Sequence, residues 1–212
     1  MSNQPSKIVC VGRNYADHAK ELGNAIPDSP VLFLKPPSSL LGLKDGIEWN
    51  QALGECHFEC ELTLRIDQPF AKTATPAQAL QSIGAVTLGL DLTLRDLQTT
   101  LKNKGQPWER AKAFDGSCVL ADWVDVAEVS DWQNLEFTFA VNGEIKQHGF
   151  THDMIFDIAT LLVDINQSFS LQAGDVIMTG TPAGVAALHP KDQLTMTLHT
   201  QKAQHQWQTF CR

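Results

Sequence analysis

Glu59 and Glu61 stand two residues apart in His57–Ile66, where Phe58, Cys60, Leu62, Leu64 and Ile66 alternate with His57, Glu59, Glu61, Thr63 and Arg65. Period-2 alternation is the pattern of a half-buried strand. Residues i and i+2 of a strand point to one face, so the two carboxylates share a side. Like charges held together repel, and one takes up a proton unless something positive sits between them. A divalent cation is such a partner. A solvated strand face carrying two acids has the same pattern, so this pair alone leaves both readings open. Val86–Arg95 repeats the alternation and sets Asp91 among leucines, with Gly89 beside it. If the two strands are neighbours, Glu59, Glu61 and Asp91 form an all-oxygen cluster suited to Mg²⁺ or Mn²⁺.

Other residue types suggest acid–base chemistry. Asn14–Gly23 reads as a short helix, capped by Asn14 or Asp17 and ended by Gly23, with His18 and Glu21 as i, i+3 neighbours. A carboxylate beside an imidazole fixes its tautomer and raises its basicity, which is the make-up of a general base. A surface His–Glu pair reads identically. Lys35 follows four apolar residues and precedes two prolines, which puts an ammonium at a strand end. Lys112 falls in the irregular segment Gln106–Cys118 beside Trp108 and Phe114. Gly180-Thr181-Pro182-Ala183-Gly184 lets backbone approach a ligand and offers the Thr181 hydroxyl and N–H, but it lacks the lysine of a Walker loop. Cys56, His57 and Cys60 suggest zinc, yet both cysteines fall with Phe58 on the apolar face, opposite His57, as buried thiols do.

The elements that must position these groups are mostly strands. Ile8–Gly12, Val31–Lys35 and Asp175–Thr179 are short apolar runs, and Asn142-Gly143 turns a hairpin within residues 135–147. A second hairpin occupies residues 193–210. Thr75, Pro76 and Gln78 open a helix with a capping box. A further helix runs over Arg95–Lys104 to Gly105, and the longest is predicted over His152–Phe169. The expectation is a β-rich α+β fold in a single catalytic domain, residues 1–212. The chain is 43% hydrophobic and carries a net charge of -8, which argues against a nucleic-acid partner and requires a local cation for any anionic substrate. Five cysteines without a ladder of spacings, no apolar leader and no apolar run of membrane-spanning length point to a reduced, cytoplasmic protein with no membrane partner.

Six motifs stand in order: Gly12-Arg13-Asn14-Tyr15-Ala16-x-His18, Leu32-Phe33-Leu34-Lys35-Pro36, His57-x-Glu59-x-Glu61-Leu62, Asp91-Leu92-Thr93-x-Arg95-Asp96-x-Gln98, Lys104-Gly105-x-Pro107-Trp108-x-x-Ala111-Lys112-x-Phe114 and Gly180-Thr181-Pro182-x-Gly184-Val185. Together they resemble the fumarylacetoacetate hydrolase family, in its small single-domain acylpyruvate hydrolase branch. The resemblance runs from Lys7 to the C-terminus. It departs at Ala186-Ala187, where relatives often carry Gly-Pro. It implies a rolled mixed β-sheet with few helices, a homodimer, and Mg²⁺ or Mn²⁺ on Glu59, Glu61 and Asp91. The activity it implies is hydrolysis of the C–C bond of a small anionic dioxo acid, of acylpyruvate or fumarylpyruvate type, as in the breakdown of aromatic compounds. His18, oriented by Glu21, would activate water and Lys112 would stabilise the oxyanion. Arg13, Lys35, Arg95, Gln98 and Thr181 would bind substrate. The alternatives at the same site are oxaloacetate decarboxylation and isomerisation or tautomerisation of a dioxo acid. A non-catalytic metal-binding module is a further one.

Overall fold

Ile8–Gly12, Val31–Lys35, Cys60–Ile66, Ile83–Asp91 and Val176–Met178 are rich in β-branched and apolar residues, and each forms a strand. A computed structural model describes residues 4–212. The strands pair in the order Val31–Lys35, Ile8–Gly12, Val176–Met178, Cys60–Ile66, Ile83–Asp91, Cys118–Leu120, Leu40–Gly42, and Val124–Asp125 pairs with the start of Ile83–Asp91. The sheet is mixed: Ile8–Gly12 runs parallel to Val176–Met178, and Leu40–Gly42 parallel to Cys118–Leu120. A four-stranded antiparallel sheet joins Glu144–Phe150, Glu136–Val141, Gln193–His199 and Gln204–Phe210. A small third sheet holds Ala186–Ala187, Cys56–Phe58 and Thr93–Leu94. Both predicted hairpins are present, and the β-rich expectation holds, with five short α-helices among the described residues.

The two alternating stretches are not two strands but four. The ladder between Cys60–Ile66 and Ile83–Asp91 belongs to the large sheet, whereas Cys56–Phe58 pairs with Thr93–Leu94 in the small one. The switch falls at Glu59 and at Asp91-Leu92. There Asp91 N–H still donates to Glu59 O (2.9 Å), but Cys60 N–H donates to the Gln147 side chain (2.9 Å) and Leu92 N–H to Ser117 O (2.9 Å). Side chains keep alternating across the break, which is why periodicity does not reveal it.

The half-buried reading is also corrected. Glu61, Thr63, Thr87 and Asp91 are as buried as Leu62 and Leu88. One side of the sheet joins the main core around Phe58, Phe137 and Phe139. The other meets a second small core of Ile8, Cys10, Cys118, Val176 and Met178. Gly89 is there for space: a Cβ would stand 2.8 Å from Thr63 Oγ1 and 3.0 Å from Met178 Cε.

The helices follow local signals with two corrections. Thr75 and Gln78 form the expected capping box on Pro76–Leu80, and Arg95–Asn103 ends before Gly105. The longest helix, however, is Ile158–Ser168, because the Asp157 carboxylate accepts from Thr160 N–H (2.7 Å) and starts the helix there. Thr151–Asp153 forms a separate 3₁₀ turn. The helix Ala16–Glu21 has Tyr15 at its N-cap and no side-chain cap. Asn14 is instead a buried stitch, donating to Thr179 O (2.9 Å) and accepting from Phe156 N–H (2.8 Å).

Candidate active site

The seam between the large and small sheets carries the acidic cluster. Glu59 lies at the switch, Glu61 follows in Cys60–Ile66, and Asp91 ends Ile83–Asp91. Ligand oxygens of the three lie within 4.8 Å of one another, and all three residues are buried. Such a cluster survives burial only with positive partners. Lys112, the last residue of the single-turn helix Glu109–Lys112, donates to Glu59 Oε2 (2.7 Å), Asp91 Oδ2 (2.6 Å) and Thr93 Oγ1 (2.6 Å). Arg95 Nη2 donates to Glu59 Oε1 (2.5 Å), while its Nη1 donates to Gln98 Oε1 (2.8 Å). Burial alone would raise the Glu59 carboxyl, but Lys112 and Arg95 hold it well below the usual range. Burial would likewise lower Lys112, and Asp91 and Glu59 hold its ammonium above the usual range. Among the described residues Glu61 has no cation of its own. Burial, then Asp91 and Glu59, push its carboxyl well above the usual range.

Lys35 was expected to bind substrate from a strand end. It is instead 1% exposed beneath the cluster. Its ammonium donates to Lys112 O, Ser117 O (3.0 Å) and Ser117 Oγ (3.1 Å), and stands 2.8 Å from Asp91 Oδ1. The reason is register. Lys35 lies opposite Ile8 on the strand beside the second core, so its side chain runs inward. Its geometry makes it a counter-charge to Asp91. That approach to Oδ1 is not along a hydrogen-bond direction, and Oδ1 remains a buried oxygen without a hydrogen bond. An orphaned carboxylate oxygen among three clustered hard donors fits a Mg²⁺ or Mn²⁺ ion.

Beside the cluster, His18 is buried and its Nδ1 lies 3.4 Å from Glu21 Oε2. Glu21 in turn accepts from Gly184 N–H (3.1 and 3.2 Å), which ties the first helix to the last site loop. Burial lowers the His18 pKa more than Glu59 and Glu21 raise it, so the imidazole is neutral at pH 7. The same loop reaches the carboxylates, because Gly180 N–H donates to Glu61 Oε2 (2.7 Å). Gly180 has φ +100, and a Cβ there would stand 2.7 Å from Asn14 Cβ. Gly180→Ala is therefore expected to cost about 1–3 kcal/mol and to turn this N–H from Glu61. A urea unfolding midpoint equal to wild type would show that the loop yields freely.

Arg13, His18, Arg95 and Lys112 line one narrow cleft with Glu59 and Glu61, and Gln98 and Thr181 border it. Arg13 holds a strained φ of 61. The Thr181 hydroxyl is spent, donating to Cys60 O and accepting from Gln147 Nε2 (2.8 Å each), so its backbone N–H is what it can offer a ligand. Gln147 was not singled out in the sequence, Asn14 was read as a helix cap, and Thr93 entered only as part of a motif. Each is a lone polar residue whose partners are distant in the chain, and no spacing marks it. A separate concavity of about 880 Å³ around Trp49, Leu53 and Phe114 holds none of the clustered carboxylates. Cys56 and Cys60 are buried free thiols, and burial pushes Cys56 up to about 12, which suits packing and not zinc. Among the described residues no helix is long and apolar enough to cross a membrane.

The sequence model described as fumarylacetoacetate (FAA) hydrolase C-terminal matches residues 7–206. The chain is 46% identical over 193 residues to oxaloacetate tautomerase YcgM of Escherichia coli (strain K12), covering 91% of this chain and 88% of that protein. It is 42% identical over 185 residues to the mitochondrial oxaloacetate decarboxylase of Dictyostelium discoideum, covering 87% and 84%. The crystal structure of fumarylpyruvate hydrolase from Pseudomonas aeruginosa in complex with Mn²⁺ and pyruvate superposes with a TM-score of 0.88 at 27% identity, covering 97% of this chain and 90% of that one. The expectation of acylpyruvate C–C hydrolysis is thereby corrected: the relatives at 42–46% identity are named for oxaloacetate, and the hydrolase is the more distant of the three. The strand-rich fold with its rolled mixed sheet is the one expected. With its motifs, its fold and nearly its whole length matched, the chain belongs to the fumarylacetoacetate hydrolase family.

Proposed function

We propose that this protein interconverts the keto and enol forms of oxaloacetate, with Mg²⁺ or Mn²⁺ on Glu59, Glu61 and Asp91. The observation that carries this reading is charge. The three buried carboxylates are already opposed by three cations, Lys35, Arg95 and Lys112. A divalent ion therefore adds surplus positive charge, which a dianion neutralises better than a monoanion. Oxaloacetate is a dianion at neutral pH. The similarity to proteins named for oxaloacetate supports the same choice.

A bound ion supplies Lewis-acid polarisation of the 2-oxo group, which acidifies the C3 protons. His18, neutral and oriented by Glu21, takes one C3 proton as general base. The electron pair of the broken C–H bond becomes the C2–C3 double bond. The imidazolium then returns the proton at the C2 oxygen, which completes the enol. Lys112, kept charged by its carboxylates, and Arg95, braced by Gln98, face the negative charge that grows on that oxygen. The Thr181 N–H binds the C1 carboxylate. Loss of CO₂ from C4 sends electrons along the same path without a base, and the 42% relative named as a decarboxylase favours this as a second activity.

The test follows enol absorbance after keto oxaloacetate is added to protein with Mg²⁺, with Mg²⁺ alone as control. Pyruvate is read separately by a coupled dehydrogenase. Tautomerisation is expected to outpace pyruvate formation. No acceleration over free Mg²⁺ would overturn the proposal.

A further inference from the structure

From two cations that line this cleft we infer a second carboxylate subsite, formed by Lys102 and Arg13, that selects substrates carrying a carboxylate at C4. The inference rests on the proposed oxaloacetate chemistry and identifies the residues that would set its specificity.

Lys102 comes from the last turn of the helix Arg95–Asn103, and Arg13 from the turn after Ile8–Gly12. Both line the cleft that holds Glu59, Glu61 and Lys112. They differ from the other cations of the cleft in one respect. Arg95 and Lys112 are each bound to a cluster carboxylate, whereas among the described residues neither Arg13 nor Lys102 has a carboxylate within 4.0 Å. Lys102 is not loose: its ammonium donates to Asn24 Oδ1 (3.1 Å), and Asn24 N–H is fixed to Ala19 O (2.8 Å) behind the His18 helix. Two half-buried cations without a carboxylate partner, in a chain of net charge -8, offer a site for an anion. Burial, then the guanidiniums of Arg13 and Arg95, lower the Lys102 pKa, as expected of cations that line one cleft. A substrate anchored by its C1 carboxylate and C2 oxygen at the acidic cluster extends its C4 group away from that cluster. The cleft wall at Lys102 and Arg13 is where a second negative charge finds donors. Their planar fork and flexible ammonium suit a carboxylate.

Malate and lactate test this without turnover. Both are 2-hydroxy acids that offer the same carboxylate and oxygen to the cluster, and they differ by the distal carboxylate. In calorimetric titrations of the Mg²⁺-loaded protein, wild type is expected to bind malate more tightly than lactate by about tenfold or more, the value of a charge-assisted bond. Lys102→Met and Arg13→Gln should each erase most of that preference and leave lactate affinity within about twofold. Equal affinities in wild type, or a preference that survives both substitutions, would overturn the subsite. Loss of both ligands together in the variants would also overturn it, since that marks a structural role. A malate preference that depends on Lys102, found in a protein that does not tautomerise oxaloacetate, would sustain the subsite and sink the proposed reaction.

Discussion

Asp91→Asn is expected to destabilise the metal-free protein by about 3–5 kcal/mol, the cost of leaving a buried charge unpaired. Asp91 is 1% exposed and faces two buried ammoniums, Lys35 at 2.8 Å and Lys112 at 2.6 Å. Lys112 would keep Glu59, but Lys35 would lose its carboxylate and retain only carbonyl and hydroxyl acceptors. Glu61→Gln provides the contrast. Glu61 has no cation partner among the described residues, and its one hydrogen bond, from Gly180 N–H, can be kept by the amide oxygen. The new NH₂ group also meets Glu59 and Asp91 without like-charge repulsion. Glu61→Gln is therefore expected to change stability by less than about 1 kcal/mol, since both partners of its hydrogen bond persist. Both substitutions should weaken Mn²⁺ binding strongly. Denaturant unfolding with a chelator present reads the first quantity and calorimetry the second. Equal destabilisation by the two variants would refute the asymmetric pairing of the cluster.

His18→Ala is expected to lower kcat for oxaloacetate tautomerisation by about 10²- to 10⁴-fold, the usual contribution of a positioned general base. Metal affinity should stay near wild type, because His18 is not among the clustered ligands. Pyruvate formation should fall less, since breaking the C3–C4 bond needs no base. The pH profile gives an independent check. Burial lowers the His18 pKa, so the base is lost by protonation only as pH falls below the ordinary histidine value near 6.5. The acid limb of kcat/KM should lie below that value in wild type and be absent from His18→Ala. An unchanged kcat at saturating oxaloacetate would assign the proton to another group.

The carboxylates and the imidazole were legible in the sequence because alternation and helical spacing report which side chains share a face. Glu59, Glu61 and Asp91 needed only one further fact, that their strands are neighbours, and the structure supplies it. The Thr75 cap and the Asn142-Gly143 turn were legible for the same local reason. Lys35 was misread because its direction depends on pairing with Ile8, a contact that no local pattern encodes. The substrate was misread for a related reason. The negative charge that a substrate must bring depends on how many cations already balance the cluster. Two of those, Lys35 and Lys112, reach Asp91 from 56 and 21 positions away in the chain.

The parallel pairing of Ile8–Gly12 with Val176–Met178 has a consequence for how the molecule is made. During synthesis Ile8–Gly12 can pair early with Val31–Lys35, but its other edge lacks its Val176–Met178 partner until Met178 has emerged. At translation rates of about 5–20 residues per second, that edge stays open for on the order of ten seconds. An unpaired edge is a template for pairing with another chain, and closing a sheet across such a sequence separation is slow even in the complete chain. The nascent protein therefore spends most of its synthesis as an open half-sheet. Gly180, whose N–H donates to Glu61, lies two residues beyond the end of that closing strand. Closing the sheet and joining the Gly180 loop to the carboxylates are thus one late event.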